Sequence, residues 1–303
     1  MPGTPSSAPD REETLTAQDG TTLHVTHFLP PSPPRFVVVA VHGFATHAAP
    51  YGSFFRRLNQ AGARVTAFDC RGHGTSSGRR GFVKRFSEFH DDLDLVVARA
   101  RAEHPTLPFV LLGHSHGGTI ALDAVLSGRT KPDGLVLGTP WIALFMKPAA
   151  WKLKMANFMS RVWPTFAPGN DIKAEDISTS PQVIDDFFKD PLIHHVAAAR
   201  WYTEVLAAQA RIRASASQLA VPTLLLSVGG DRIVDNAALD ALAAASTFIQ
   251  RKHYEGLYHE LFLEPAWEQV ATDVVAWLTS NMQTSTRTEA APANVPAILR
   301  SPP

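Results

Sequence analysis

Phe109-Val110-Leu111-Leu112-Gly113-His114-Ser115-His116-Gly117-Gly118 constrains the fold of this chain more than any other stretch. A short apolar run ends in Gly-x-Ser-x-Gly, and Thr119-Ile120-Ala121-Leu122 continues in helix-forming residues, so the segment reads as strand, sharp turn and helix. Glycines at 113 and 117 let the two backbones approach closely, which leaves Ser115 in a strained turn with its hydroxyl above the sheet. The N–H groups opening the helix would favour negative charge developing there. The stretch predicts acyl transfer through a serine nucleophile. By itself it is weak, because Gly-x-Ser-x-Gly arises by chance in roughly one chain of this length in ten. A base, an acid and an oxyanion hole must be found elsewhere.

The chain on either side alternates strand and helix. Glu13-Thr14-Leu15-Thr16 and Thr22 to Phe28 flank Asp19-Gly20, a hairpin signal. Phe36 to Val41 is continuous and β-branched, the pattern of a strand buried on both faces, and it ends at His42-Gly43-Phe44-Ala45. A backbone N–H in the loop after such a strand is one of the two oxyanion donors beside an elbow serine, and that donor is assigned to Phe44. A helix over Tyr51 to Gly62, a strand over Arg64 to Asp69, a helix over Ser87 to Glu103 and a strand over Gly134 to Gly138 follow. The glycines of Arg71 to Gly78 resemble a phosphate cradle only superficially. They lack a Gly-Lys-Ser/Thr ending, and no Gly-x-Gly-x-x-Gly opens a helix. The fold class is α/β, with a mostly parallel, doubly wound sheet.

From about 139 to 213 the alternation gives way to amphipathic helix without a convincing strand, which reads as a helical cap inserted over the sheet. Pro222 to Val228 then resumes the sheet and delivers Gly229-Gly230-Asp231, and a strand over Thr247 to Tyr254 delivers Glu255-Gly256-Leu257-Tyr258-His259-Glu260. Each loop follows a strand, where open α/β sheets bind ligands. Ser115, Asp231 and His259 thus occur in the order nucleophile, acid, base. His259 titrates in the right range to take the serine proton, and Asp231 would hold its tautomer. Asp235 is the rival acid, although its place before Asn236-Ala237-Ala238-Leu239 suits a helix N-cap. Glu260 reads as a loop-stabilising residue.

Composition narrows the alternatives. Lys plus Arg and Asp plus Glu balance at 28 each, so no global field points to nucleic acid. Cys70 stands alone, no run approaches the ~20 apolar residues of a membrane span, and Met1 to Ser7 has no apolar signal core; a reduced, cytoplasmic protein is expected. Thirteen histidines invite a metal reading, but no His-Glu-x-x-His helix occurs, and His114 and His116 diverge across a strand-turn-helix; neither metal nor cofactor is expected. His194 and His195 are expected to pack in or near the cap. Residues 1 to 11 and 281 to 303 read as disordered tails around a domain over 12 to 280.

Several of these motifs together resemble the monoacylglycerol lipase-like and lysophospholipase-like serine α/β-hydrolases. The likeness covers roughly residues 12 to 280. It runs through His42-Gly43 with His47 and Tyr51, Asp69 to Gly81, Gly113 to Gly118, Trp151 to Lys154, Asp190 to His194, Asp231 to Asp235 and His259-Glu260-Leu261. It implies an α/β-hydrolase fold, with Ser115, Asp231 and His259 as triad and the amides of Phe44 and His116 as oxyanion donors. The chain departs from the family pattern at Thr46, where Glu is frequent, and at His116, where Met is usual; the second leaves the shape of the pocket open. The activity implied is hydrolysis of a monoacylated lipid, a monoacylglycerol or lysophospholipid, through an acyl-enzyme. The alternatives are a small-ester esterase, an acyltransferase or a catalytically silent binding protein.

Trp151, Met155, Phe158, Met159 and Val162 recur at helical spacing beside Lys154 and Arg161. Two readings stay open for this stripe. It packs over the sheet as ordinary core, or it serves substrate by lining an acyl tunnel or making transient contact with a membrane surface, which would place the protein at the membrane periphery.

Overall fold

The computed structural model describes residues 7–146, 148–170 and 172–282. Eight strands form one sheet in the order β1-β2-β4-β3-β5-β6-β7-β8. β1 (Arg11–Thr16) and β2 (Thr22–Phe28) make the expected hairpin, whose turn needs Gly20 at φ 85°. β2 is antiparallel to β4 (Ala63–Phe68), and every later pair is parallel: β4 with β3 (Phe36–Val41), then β5 (Phe109–His114), β6 (Gly134–Gly138), β7 (Thr223–Val228) and β8 (Ile249–Tyr254). β3 through β7 are buried along their whole length, as their mainly apolar sequences lead one to expect of strands covered on both faces.

The cover comes from two apolar layers. Phe54, Phe55 and Leu58 of α1 (Gly52–Gln60) join Val270, Val274 and Trp277 of α8 (Trp267–Asn281) on one face. Leu93 and Val96 of α2 (Ser87–Ala102), Ile120 and Ala121 of α3 (His116–Leu126) and Leu239 and Leu242 of α7 (Asn236–Ala245) cover the other. Between β6 and β7 lie α4 (Ala150–Val162), α5 (Pro181–Lys189) and α6 (Ala199–Ser215). α6 is not simply a lid: Trp201, Val205, Ala208 and Ile212 belong to the sheet's own core, and the helix packs on α3.

Both tail boundaries move. Arg11 already belongs to β1, and Asp10 is held by Arg56 at 2.7 Å and by the Leu29 amide at 2.6 Å, a charge pairing that Pro/Ser composition does not announce. At the other end α8 continues to Asn281, and Met282 is buried against Gly134. Residues 1–6 and 283–303, the remainder of the expected tails, lie outside the described residues. The loop after β4 is occupied by its own chain: the Asp69 carboxylate accepts from the Ala48 and Thr75 amides, each at 2.9 Å, and a Cβ at Gly74 would meet its Oδ2 at 2.1 Å. Gly74 thus makes room for a buried carboxylate.

Candidate active site

The elbow is built by exclusion. Ser115 takes φ 51°, ψ −116°, a region costly for any residue with a Cβ. A Cβ at Gly113 would lie 2.5 Å from the Gly117 carbonyl oxygen, and one at Gly117 would lie 2.2 Å from that of Val41. β6 and the loop that follows it then lock the turn. The Ser115 amide donates to the Gly138 carbonyl at 2.9 Å, and its own carbonyl accepts from the Trp141 amide at 3.0 Å.

The three residues picked from three separate loops meet. His259 Nε2 lies 2.9 Å from Ser115 Oγ, and His259 Nδ1 lies 3.0 Å from Asp231 Oδ2. Asp231 Oδ1 accepts from the amides of Ile233 at 2.9 Å and Val234 at 2.8 Å, so both carboxylate oxygens are engaged. Burial alone would raise the Asp231 pKa, but the facing imidazole and these amides outweigh it and hold the carboxyl below its usual range. For His259 burial works toward the neutral form, and the Asp231 carboxylate more than reverses it, so its pKa stands above the ordinary value. The rival Asp235 does something else. Its Oδ1 accepts from the Ala237 amide at 2.9 Å and caps α7.

The two proposed oxyanion donors lie in the chain segments next to the serine: Phe44 follows Gly43, and His116 follows Ser115. Gly43 is so close that a Cβ there would touch Ser115 Cβ at 3.4 Å, and His116 is the first residue of α3, where helix amides lack internal partners. The His116 side chain is enclosed by the rings of Phe44, Phe86, Phe89, Trp141 and Trp201. Neither of its ring nitrogens meets a hydrogen-bond partner among the described residues, and burial pushes its pKa down to about 3. It is a neutral imidazole in an aromatic box. His194 is buried against Phe44, while His195 is exposed and stacks on Phe188.

Other positioning groups escaped the sequence reading. The His259 carbonyl accepts from His114 Nε2 at 3.1 Å and from Thr139 Oγ1 at 3.2 Å, which anchors the loop from beneath. Tyr51 donates to Glu260 Oε2 at 2.9 Å, tying the residue after His259 to the segment that opens α1. His114 and Thr139 both sit at the ends of strands beside the elbow, and that placement was the available signal.

The stripe on α4 requires a correction. Trp151, Met155, Phe158 and Val162 are 65, 52, 58 and 60% exposed, so they neither form core nor line an acyl tunnel. The helix turns its Leu153, Ala156 and Ser160 side toward α6, with Ser160 Oγ 2.8 Å from Thr203 Oγ1. Met159, on the border, is half-buried. Among the described residues no group of His, Cys, Asp or Glu is arranged to hold a metal ion, and no helix is long and apolar enough to cross a membrane.

Residues 32–266 match the family described as serine aminopeptidase, S33. A monoacylglycerol lipase of Mycolicibacterium smegmatis is 32% identical over 256 residues, covering 84% of this chain and 91% of the relative. Among solved structures, the monoacylglycerol lipase of Paleococcus ferrophilus superposes with a TM-score of 0.77 at 27% identity, over 86% of this chain and 99% of that one. A monoglyceride lipase of Saccharomyces cerevisiae reaches a TM-score of 0.83 over 93% of this chain and 98% of that one, and at 19% identity speaks for the fold alone. The chain belongs to this family of α/β-hydrolases and is a serine hydrolase of its monoacylglycerol lipase-like group.

Proposed function

We propose that the protein hydrolyses the carboxylic ester of a monoacylated lipid, a monoacylglycerol or a lysophospholipid, with Ser115 as nucleophile, His259 as general base and Asp231 as the orienting acid. The observation that carries this reading is the single line Ser115 Oγ, His259, Asp231, closed by contacts of 2.9 and 3.0 Å. Ser115 Oγ attacks the ester carbon while His259 Nε2 takes its proton. The amides of Phe44 and His116 receive the negative oxygen. His259 then returns the proton to the departing alcohol, and water, activated by the same imidazole, releases the fatty acid from Ser115. The relatives named above as monoacylglycerol lipases support the acyl-lipid substrate.

The exposed α4 stripe supports a second element of the reading, transient contact with a lipid surface. Phe145, Met146 and Trp163 extend the apolar area at both ends of the helix, and Lys152, Lys154 and Arg161 are exposed beside it. Rings at an interface with basic residues around them suit an anionic lipid layer. The protein would thus work at the membrane periphery, with the buried thiol of Cys70 suited to a reducing cytoplasm.

The test is Ser115→Ala. It should reduce ester turnover at least 1,000-fold while the melting temperature stays within about 2 °C, because Ala spares the packing around the elbow. A fluorophosphonate should label the native protein at Ser115. Substantial turnover in the variant, or labelling at another serine, refutes the assignment.

A further inference from the structure

Among the described residues three that are not glycine take a left-handed φ: Ser115 at 51°, Thr139 at 40° and Ala45 at 69°. Ser115 bears the nucleophile of the reaction proposed above, and Thr139 Oγ1 donates to the His259 carbonyl at 3.2 Å. Ala45 offers only a methyl group. It directly follows Phe44, whose amide is assigned to the oxyanion, so its strain sits in the segment that sets the direction of that donor. Such a backbone is unfavourable for a residue with a Cβ and persists only where its surroundings hold it.

The two ends of this loop are fixed from the sheet side. His42 Nε2 accepts from the Cys70 amide at 2.9 Å, and the Ala48 amide donates to Asp69 at 2.9 Å. The stretch between them is held from the cap. The His194 amide donates to the Ala45 carbonyl at 3.1 Å, and His47 Nε2 lies 2.8 Å from Asp190 Oδ2. The Phe44 ring stacks on Trp201 of α6 with centroids 3.8 Å apart, and its edges meet His73 and His116. Asp190 Oδ1 accepts from the Leu192 amide at 2.8 Å, so one carboxylate both shapes the turn that leads to His194 and grips the oxyanion loop. Burial would raise the Asp190 pKa, but His47 and the Leu192 amide outweigh it and keep the group ionised.

We propose that Asp190 is a positioning residue for the oxyanion hole: by gripping His47 it fastens the strained loop to the cap and keeps the Phe44 amide aimed at the developing oxyanion. The inference rests on the ester-hydrolase reading, with Phe44 as a donor, and adds the group that aims that donor. The oxyanion gains its charge on the way to the transition state, so losing the grip lowers kcat and spares KM. Removing an oxyanion donor outright costs roughly 100- to 1,000-fold in kcat, and a donor displaced without being lost should cost about tenfold.

For the full chain acting on 4-nitrophenyl butyrate, Asp190→Ala should lower kcat about tenfold with KM within twofold. Asp190→Asn, which keeps a hydrogen-bonding group toward His47, should stay within threefold of the native kcat. The ketone 1,1,1-trifluorooctan-2-one reads the hole directly: Ser115 Oγ bonds to its carbonyl carbon, the serine proton passes to His259, and the electron pair of the broken C–O π bond stays on oxygen as an oxyanion. Its inhibition constant should rise about tenfold in Asp190→Ala. His47→Ala cuts the same contact from the loop side, and it carries the test alone if Asp190→Ala, which also loses the turn at Leu192, does not fold. In the double variant the two losses should not multiply, and the acid limb of the pH profile should keep its midpoint because His259 is untouched. A native kcat in either folded alanine variant, a loss confined to KM, or losses that multiply overturns the grip while the hydrolase reading stands. If the native protein neither cleaves the ester nor binds the ketone, the hydrolase reading falls and the grip with it.

Discussion

Ser115 and Phe158 are both conspicuous in the sequence, yet the molecule treats them oppositely. Around Ser115 the backbone is pinned by β6 and the loop after it, three glycines have no room for a Cβ, and a misplaced atom would collide with a carbonyl. Phe158 sits on the outer face of α4 and is 58% exposed. The contrast separates two kinds of constraint. The elbow obtains its precision from sterics inside the chain, whereas the outer face of α4 acquires meaning only from something outside it. Variants should therefore fail in different ways at the two places.

The largest difference is expected within the buried network. Asp231→Asn should lower turnover about 10,000-fold with little change in stability, because an amide at Oδ2 no longer enforces the tautomer in which Nε2 accepts the serine proton. Asp235→Ala, four residues on, should cost about 1 kcal/mol of stability through the lost α7 cap and leave kcat/KM essentially unchanged. Kinetics and chemical denaturation on the two purified variants suffice. If Asp235 proves the catalytic loss, the carboxylates have been assigned the wrong way round.

A pH profile sharpens the same point. His259 must be neutral to accept the serine proton, and the Asp231 carboxylate raises its pKa above the ordinary value despite burial. kcat/KM should consequently fall about tenfold per pH unit on the acid side, with a midpoint above about 6.5. The stability contribution runs the other way: a raised histidine pKa stabilises the fold fully below about 6.5, and that share is lost as pH rises through the folded-state value. Acid inactivation near the midpoint should then be reversible and occur without unfolding. Loss of circular dichroism in parallel with activity would contradict this.

How much of the molecule could be read in its residues follows from the same division. Continuous β-branched runs such as Phe36 to Val41 and the Gly-x-Ser-x-Gly turn announced themselves because a buried strand or a strained elbow tolerates few alternatives. The proposed triad could be picked from three post-strand loops, since a parallel sheet brings such loops to one edge. The facing of α4 could not. Helical periodicity identifies Trp151, Met155, Phe158 and Val162 as one face but is silent on whether that face turns toward α6 or away. Likewise, Asp10 on Arg56 and Tyr51 on Glu260 are contacts between residues 46 and 209 positions apart, beyond the reach of local pattern.

On the exposed side the effect should be smaller and depend on the substrate's physical state. Replacing Trp151 and Phe158 together by Ser should reduce turnover of long-chain monoacylglycerol in anionic vesicles about tenfold, with hydrolysis of a dissolved short-chain ester within twofold and melting unchanged. Vesicle co-sedimentation of the Ser115→Ala protein, with and without the α4 changes, checks the binding directly. Equal losses on both substrates, or vesicle binding indifferent to the changes, would refute the lipid contact.

The smallest kinetic effect belongs to His116, which stands next to the nucleophile yet is predicted to contribute only its amide. Met at this position keeps the backbone N–H and is close enough in size to fill the box of Phe86, Phe89, Trp141 and Trp201, so kcat should remain within threefold. Stability should rise by about 1 kcal/mol, since Met removes two buried nitrogens that have no partner among the described residues. The advantage should also grow in acid. Burial holds the folded-state pKa of His116 near 3, so from about pH 6.5 downward the unfolded chain takes up a proton that the folded one refuses, and the native protein loses on the order of 1 kcal/mol per pH unit from this group. His116→Met abolishes that loss, and its melting temperature should exceed the native value by a margin that widens from pH 7 to pH 5. A margin independent of pH would mean that the imidazole is not held neutral, and a kcat reduced beyond tenfold would give its side chain a part in the reaction.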